Sequence, residues 1–142
     1  MRALKFVGKG LLIFLGILFV LFMYFDSDFH EVRRLKDQVE KNLKLSSIEL
    51  PELIDRETYG WAEEGGDKAL LLLSPLACTS ISSVMTGSEE SNGKSEYSDM
   101  FARNKLNPSI VKTWFKSNAH GDFTYYALDE KSCSLYRRYH YE

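Results

Sequence analysis

The first 25 residues change from a basic to an apolar pattern. Gly10–Phe25 contains 16 residues and no charge. As a helix this run would be about 24 Å long, whereas the hydrocarbon core of a membrane is about 30 Å thick. Phe6 and Val7 can extend the run if Lys9 places its ammonium among the lipid headgroups. We therefore predict a transmembrane helix over 10–25 that follows a basic head, 1–9.

The end of the apolar run distinguishes a retained anchor from a cleaved signal peptide. Cleavage requires small residues before the cut, but Met23, Tyr24 and Phe25 occupy those positions. A buried helix of a soluble protein is a third interpretation, although the rest of the chain has no stretch apolar enough to surround it. The sequence favours a single-pass signal-anchor over both alternatives.

The apolar spacing changes after Asp26. Apolar residues now recur every three or four positions, which is one face of a helix. They are Phe29, Val32, Leu35, Val39 and Leu43. We predict that an amphipathic juxtamembrane helix over 26–45 continues the first helix with little or no break. Its apolar face would pack on the chain's own domain or, as an alternative, pair with another chain.

The remaining residues, 46–142, predict an α+β domain. Ser46–Arg56 is predicted to be a loop. Strands are predicted at Thr58–Ala62 and Lys68–Ser74, joined by a turn over Glu63–Asp67 that contains two glycines. A C-terminal hairpin is expected from two further strands, Phe123–Leu128 and Cys133–Tyr141.

Helices are predicted between these strands, so that they pack on an antiparallel sheet of about four strands. One begins at Ser74-Pro75, which combines an N-cap with a first-turn proline. Another spans about Tyr97–Lys105. A third begins at Asn107-Pro108 and runs to about Asn118. The polar stretch 87–96 is predicted to be a mobile loop.

Charge and compartment follow from where the ionisable residues lie. The head holds three of the 18 bases, and all 20 acids follow the apolar run, so the remainder has a formal charge of −5. Such a domain has no general reason to bind nucleic acid. The basic head favours a cytoplasmic N-terminus. We therefore predict a protein of the bacterial inner membrane whose C-terminal domain is periplasmic.

The two cysteines, Cys78 and Cys133, support that orientation. An even number of cysteines in an exported domain suggests a disulfide. The bond would close a loop of about 55 residues, which the chain-entropy model credits with about 4 kcal/mol. Two buried free thiols are the alternative.

The search for catalytic chemistry finds one weak candidate. His120 and Asp122 precede a predicted strand and offer an acid–base pair, although a capped turn explains the same residues. The sequence contains no metal-ligand spacing, nucleophile motif or phosphate-binding loop, and it implies no cofactor. We predict that the protein is not an enzyme. A small membrane-anchored hydrolase using His120 and Asp122 is the alternative.

The C-terminal strand is the predicted partner-binding surface. Tyr and Arg frequently anchor protein interfaces, and this strand is rich in both. The candidate residues are Tyr136, Arg137, Arg138, Tyr139 and Tyr141. Alternation along a strand would place Arg137, Tyr139 and Tyr141 on one face. An ordinary half-buried strand, whose arginines meet the domain's surplus acid, is the alternative.

The order of segments leads to a functional expectation. A basic head, a long helix and a small α+β domain with a late cysteine pair resemble, in outline, type IV pilins and pseudopilins. The processing site of that family, a Gly followed by an aromatic residue and a Glu five residues on, is absent. A pilin-like structural subunit is therefore the second alternative. The leading expectation is an anchored interaction domain, either an accessory subunit of an envelope complex or a protein that binds or neutralises a membrane or envelope protein.

Overall fold

The computed structural model describes residues 2–61, 64–85, 94–108 and 111–142. For 2–12, 22–28, 61 and 94–96 it describes the backbone alone. The chain divides into two compact units, Met1–Leu35 and Lys36–Glu142.

The described residues confirm the α+β class. They form three helices and one antiparallel sheet of five strands in the order β1-β2-β5-β4-β3. The elements are α1 (Arg2–Leu43), β1 (Glu52–Trp61), β2 (Glu64–Leu72), α2 (Pro75–Val84), α3 (Lys94–Arg103), β3 (Val111–Ser117), β4 (Phe123–Asp129) and β5 (Ser134–Tyr141).

Helix α1 is continuous through the boundary between the predicted apolar and amphipathic segments. From Ile13 to Leu21, every described side chain is exposed. Across the described side chains, no helix is long and apolar enough to cross a membrane. The transmembrane helix over 10–25 therefore stays a prediction.

The amphipathic stripe of α1 is largely confirmed by burial. Val32, Leu35, Val39 and Leu43 are buried, whereas Phe29 is 44% exposed. The helix ends where Lys44 adopts a positive φ of 55°. Polar residues occupy the positions between the buried ones, so one side of this part of the helix faces solvent, as its spacing predicts.

The first hairpin is longer than predicted. Strand β1 includes much of the predicted loop, and β2 begins at Glu64, so the Gly65-Gly66 pair lies in a strand and not in a turn. A Cβ at Gly66 would meet the carbonyl oxygen of Tyr139 on β5. These glycines therefore permit a close approach of neighbouring strands, which the turn interpretation missed.

Two of the three predicted domain helices are confirmed. Ser74 caps α2, since its side chain accepts a hydrogen bond from the Ala77 N–H, and Pro75 is in the first turn. Helix α3 corresponds to the helix predicted near Tyr97 and begins at Lys94. Residues 87–93 of the predicted mobile loop lie outside the described residues, whereas 94–96 belong to α3, so that part of the loop prediction is wrong.

The third predicted helix is wrong, because Val111–Ser117 forms strand β3. Its apolar residues fit helical spacing, but β3 pairs with β4 over its whole length, and Trp114 lies opposite Tyr126 with ring centroids 5.5 Å apart. This pairing outweighs the local helix-start signal. It also raises the strand count from about four to five.

The sheet has two faces, which we name by residues of β5. The Tyr136 face packs against α3 through a core of Leu70, Tyr97, Met100, Phe101, Tyr125, Ala127 and Tyr136. The Arg137 face contacts the last turn of α1, where Asn42 donates to the hydroxyl of Tyr126. Both faces of β5 are therefore partly covered.

Candidate interaction surface

Strand β5 lies between β2 and β4, which divides the predicted partner-binding residues between the two faces of the sheet. Arg137, Tyr139 and Tyr141 share one face, as the alternation predicts. Tyr136 and Arg138 lie on the other. Burial decreases along the strand, from fully buried at Ser134–Arg137 to exposed at Tyr141.

Tyr136 and Arg137 lie inside the domain and are not available at its surface. Tyr136 is fully buried beside α3, and this burial raises the pKa of its hydroxyl above the ordinary value. The Arg137 side chain is 1% exposed, and its Nη1 donates to Asp67 Oδ1 at 2.7 Å. For Arg137, the structure therefore agrees with the alternative prediction that arginines of this strand pair with acidic residues of the domain.

Arg137 belongs to a buried polar network that connects the sheet to α1. Tyr126 lies directly opposite Arg137 on β4, and its hydroxyl accepts a hydrogen bond from Asn42 Nδ2 at 3.0 Å. Burial raises the pKa of Tyr126. The Arg137 guanidinium also lies 5.5 Å from the ring centroid of Tyr139. The buried guanidinium of Arg137 therefore makes a cation–π contact with the Tyr139 ring.

A groove opens beside this network, at the end of the sheet where β3 turns into β4. We call it the β3–β4 groove, and its volume is about 220 Å³. Its lining residues are Asn42, Lys116, Ser117, Asn118, Asp122, Phe123, Thr124 and Tyr139. Lys116 pairs with Thr124, and Thr124 pairs with Tyr139, so these three form one row across β3, β4 and β5.

The turn at one end of the groove contains the predicted acid–base pair. Asn118 Oδ1 accepts the backbone N–H groups of His120 and Asp122. The Asp122 carboxylate accepts from Asn118 Nδ2 at 2.9 Å and from the Glu142 N–H at 3.2 Å. Within the described contacts, the exposed His120 imidazole does not meet Asp122. These bonds are those of a capped turn.

The opposite face of the sheet holds an aromatic platform, defined by Tyr59, Phe123, Arg138 and His140. The His140 ring stacks on Tyr59 at 6.1 Å between centroids and lies 5.0 Å from the Phe123 centroid. The Arg138 guanidinium is 5.0 Å from the Phe123 centroid and donates from Nε to the Tyr59 hydroxyl at 2.9 Å. These contacts hold the half-buried rings in place.

The two cysteines are brought together as predicted. Cys78 on α2 and Cys133 before β5 lie at disulfide distance, with Cα atoms 5.4 Å apart, within the range that a disulfide requires. The Cys133 carbonyl also accepts the Leu73 N–H at 2.9 Å. The pair attaches α2 to the turn of the C-terminal hairpin.

A bridge near the cysteines involves residues that the sequence did not single out. Lys112 Nζ donates to Ser82 Oγ at 2.7 Å and lies 2.9 Å from Glu130 Oε1. Ser82 also donates to Glu130, and this bond, followed by that of Lys112, lowers the pKa of Glu130. The bridge connects α2, β3 and the hairpin turn. No spacing signal predicts it, because its members lie far apart in sequence.

Neither a search for metal ligands among the described residues nor a comparison with known proteins assigns a function to the domain. The described residues contain no group of three His, Cys, Asp or Glu side chains that could hold a metal ion. No protein-family model matches the chain, and no curated protein or solved structure is significantly similar to it. What the domain binds has therefore to be inferred from its own surface chemistry.

Proposed function

We propose that this is a single-pass membrane-anchored protein whose C-terminal unit is an extracytoplasmic protein-interaction domain. The observation that supports the anchor is the exposed apolar stretch of α1 from Ile13 to Leu21. Its large side chains, each 46–66% exposed, are Ile13, Phe14, Leu15, Ile17, Leu18, Phe19, Val20 and Leu21.

The stretch is apolar on every side of the helix. Successive helical residues are rotated by 100°, so Ile13–Leu21 covers the full circumference with no polar residue. Fully burying one such side chain is worth about 1.5–3 kcal/mol. A helix with a single apolar face can bury that face by packing on a domain. A helix that is apolar on every side can bury all of its side chains only in an apolar environment such as lipid.

The flanking charges and the cysteines support the orientation. Arg2, Lys5 and Lys9 precede the uncharged run, and the basic side of a span normally stays in the cytoplasm. The proximity of Cys78 and Cys133 suits an oxidising compartment on the other side. For a bacterial protein, the proposed compartment of the domain is the periplasm.

An interaction role is supported by the open end of the sheet. The β3–β4 groove and the aromatic platform lie there on opposite faces, and both include residues from the C-terminal half of β5. Arg138, Tyr139 and Tyr141 of the predicted partner-binding set remain accessible in part. A membrane or envelope protein is the expected partner.

Carbonate extraction of membranes that contain the full chain tests the anchor. We expect the protein to remain in the pellet and its intact mass to include the N-terminal residues. Replacing Leu15 and Leu18 with Arg should increase the released fraction, because each Arg at the centre of a span costs about 2.5–3.5 kcal/mol.

The matched control is Leu76→Arg, since Leu76 is 70% exposed on α2 and outside the proposed span. That variant should stay in the pellet. Release of the unmodified chain by carbonate, or a mature N-terminus after Phe25, would contradict the proposal.

A further inference from the structure

We infer that the β3–β4 groove binds a carboxylate carried by a peptide segment of the partner. The three groups that would hold it are the Lys116 ammonium and the hydroxyls of Thr124 and Tyr139. The inference rests on the proposed function for the identity of the partner as a protein. The binding chemistry follows from the groove itself.

The groove contains donors that make no hydrogen bond within the described part of the chain. Within the described contacts, the Lys116 ammonium and the Thr124 and Tyr139 hydroxyls have no hydrogen-bond partner. Lys116 is exposed, whereas Thr124 and Tyr139 are half-buried. The other charged group that lines the groove, Asp122, already accepts hydrogen bonds at both carboxylate oxygens.

The three donors line the same groove, and the pairing of their strands lets them reach one ligand. They occupy one cross-strand row. Adjacent strands are about 4.8 Å apart, so the outer two backbones are separated by about 10 Å. A lysine side chain and a tyrosine side chain can converge over the threonine between them. The cation–π contact between the Arg137 guanidinium and the Tyr139 ring restricts the movement of that ring.

The balance of charge selects a carboxylate over other anions. An ionised carboxylate carries one charge, which one ammonium balances, and it accepts about four hydrogen bonds, which the up to five donors of the ammonium and the two hydroxyls can supply. A phosphate monoester carries a charge of about −1.5 to −2 at neutral pH, and the nearby Asp122 carboxylate would repel the additional charge. The groove volume of about 220 Å³ accommodates a side chain better than a whole cofactor.

Nuclear magnetic resonance of the full chain in non-denaturing detergent tests the inference. The probe is N-acetyl-glutamic acid amide, and its neutral isostere, N-acetyl-glutamine amide, is the matched control ligand. We expect saturable shifts of the backbone amides of Lys116, Thr124 and Tyr139 with the glutamic acid probe and none with the glutamine probe. Acetate should bind more weakly than the peptide-like probe.

Two variants assign the binding to the named donors. Lys116→Gln should weaken binding about tenfold or more, because a hydrogen bond to a charged group contributes about 1.5–3 kcal/mol. Tyr139→Phe removes one hydroxyl and should weaken binding by a smaller factor. Lys131→Gln alters an exposed lysine in the hairpin turn and should leave the affinity unchanged.

Three results would overturn the inference. They are equal shifts with the glutamine probe, unchanged affinity in Lys116→Gln, and no saturable shift up to about 100 mM, which is a hundredfold above a millimolar Kd. Equal affinity for acetate would overturn the assignment to a peptide. The spectra report on the groove whether or not α1 crosses a membrane, so failure here leaves the anchor test unaffected, and the reverse also holds.

Discussion

Replacing Asp67 with Asn should destabilise the domain far more than the loss of one hydrogen bond would. Asp67 is the ion-pair partner of Arg137, and the side chains are 9% and 1% exposed. Asn is similar in shape and can still accept a hydrogen bond from the guanidinium. The substitution therefore removes the negative charge and leaves the buried positive charge uncompensated.

The burial of the pair determines the magnitude. An ordinary hydrogen bond contributes about 0.5–1.5 kcal/mol, whereas breaking a buried ion pair by removing one partner costs about 3–5 kcal/mol. Solvent cannot compensate a guanidinium that is 1% exposed. We therefore expect the free energy of unfolding to fall by about 3–5 kcal/mol, out of the about 5–15 kcal/mol typical of small domains.

Urea unfolding of the full chain in detergent, followed by tryptophan fluorescence, measures this loss. Trp114 is a suitable reporter because its half-buried ring lies 5.5 Å from that of the buried Tyr126. The control is Asp37→Asn on the exposed side of α1. It should change the free energy of unfolding by no more than about 0.5 kcal/mol.

The double variant Asp67→Asn with Arg137→Met completes the test. It removes both buried charges, so its destabilisation should be smaller than the sum of the two single effects. Strictly additive losses would refute the reasoning. So would an Asp67→Asn variant within about 0.5 kcal/mol of the unmodified protein.

Three further predictions concern the pair of cysteines, the strand packing and pH. Replacing Cys78 and Cys133 with Ala should cost about 2–5 kcal/mol in urea unfolding, and thiol titration of the denatured, non-reduced chain should find no free thiol. Gly66→Ala should cost about 1–3 kcal/mol, because the added methyl group meets the Tyr139 carbonyl, whereas Ala at exposed Ser83 should not. Burial alone would raise the pKa of the Glu40 carboxyl, but hydrogen bonds from Lys36 and from the Ile48 N–H lower this pKa below 4.5. Its contribution to stability is therefore complete above that value and is lost as the pH falls through the lower pKa, so Glu40→Gln should reduce the loss of stability between about pH 5 and pH 3.

Local signals predicted some elements well. The cap and proline at Ser74-Pro75 identify α2, and the aromatic-rich runs on either side of a short turn identify the β4–β5 hairpin. In both cases the local preference agrees with the tertiary contacts. The Cys78–Cys133 proximity followed from the count of cysteines and the expected compartment.

Other elements required information that is not local. Asn107-Pro108 has the same form as Ser74-Pro75, yet β3 follows it, because the exposed edge of β4 pairs with this segment. Charged residues along β1 concealed an edge strand, where solvent-facing charges are common. The sequence could not identify which acid pairs with Arg137 either, since Asp67 lies 70 residues away on a neighbouring strand.

The position of the candidate surface follows from how burial changes along β5. Along β5 the side chains are fully buried as far as Arg137, intermediate from Arg138 to His140, and exposed at Tyr141. The Asn42–Tyr126 bond of α1 lies at the buried part of the strand, because Tyr126 pairs with Arg137. Among the described residues, the side chains beyond Arg137 lie between two paired strands and are half-buried or exposed. A rigid strand that ends in partly exposed aromatic and basic side chains orders these groups before binding, which lowers the entropy lost when a partner arrives.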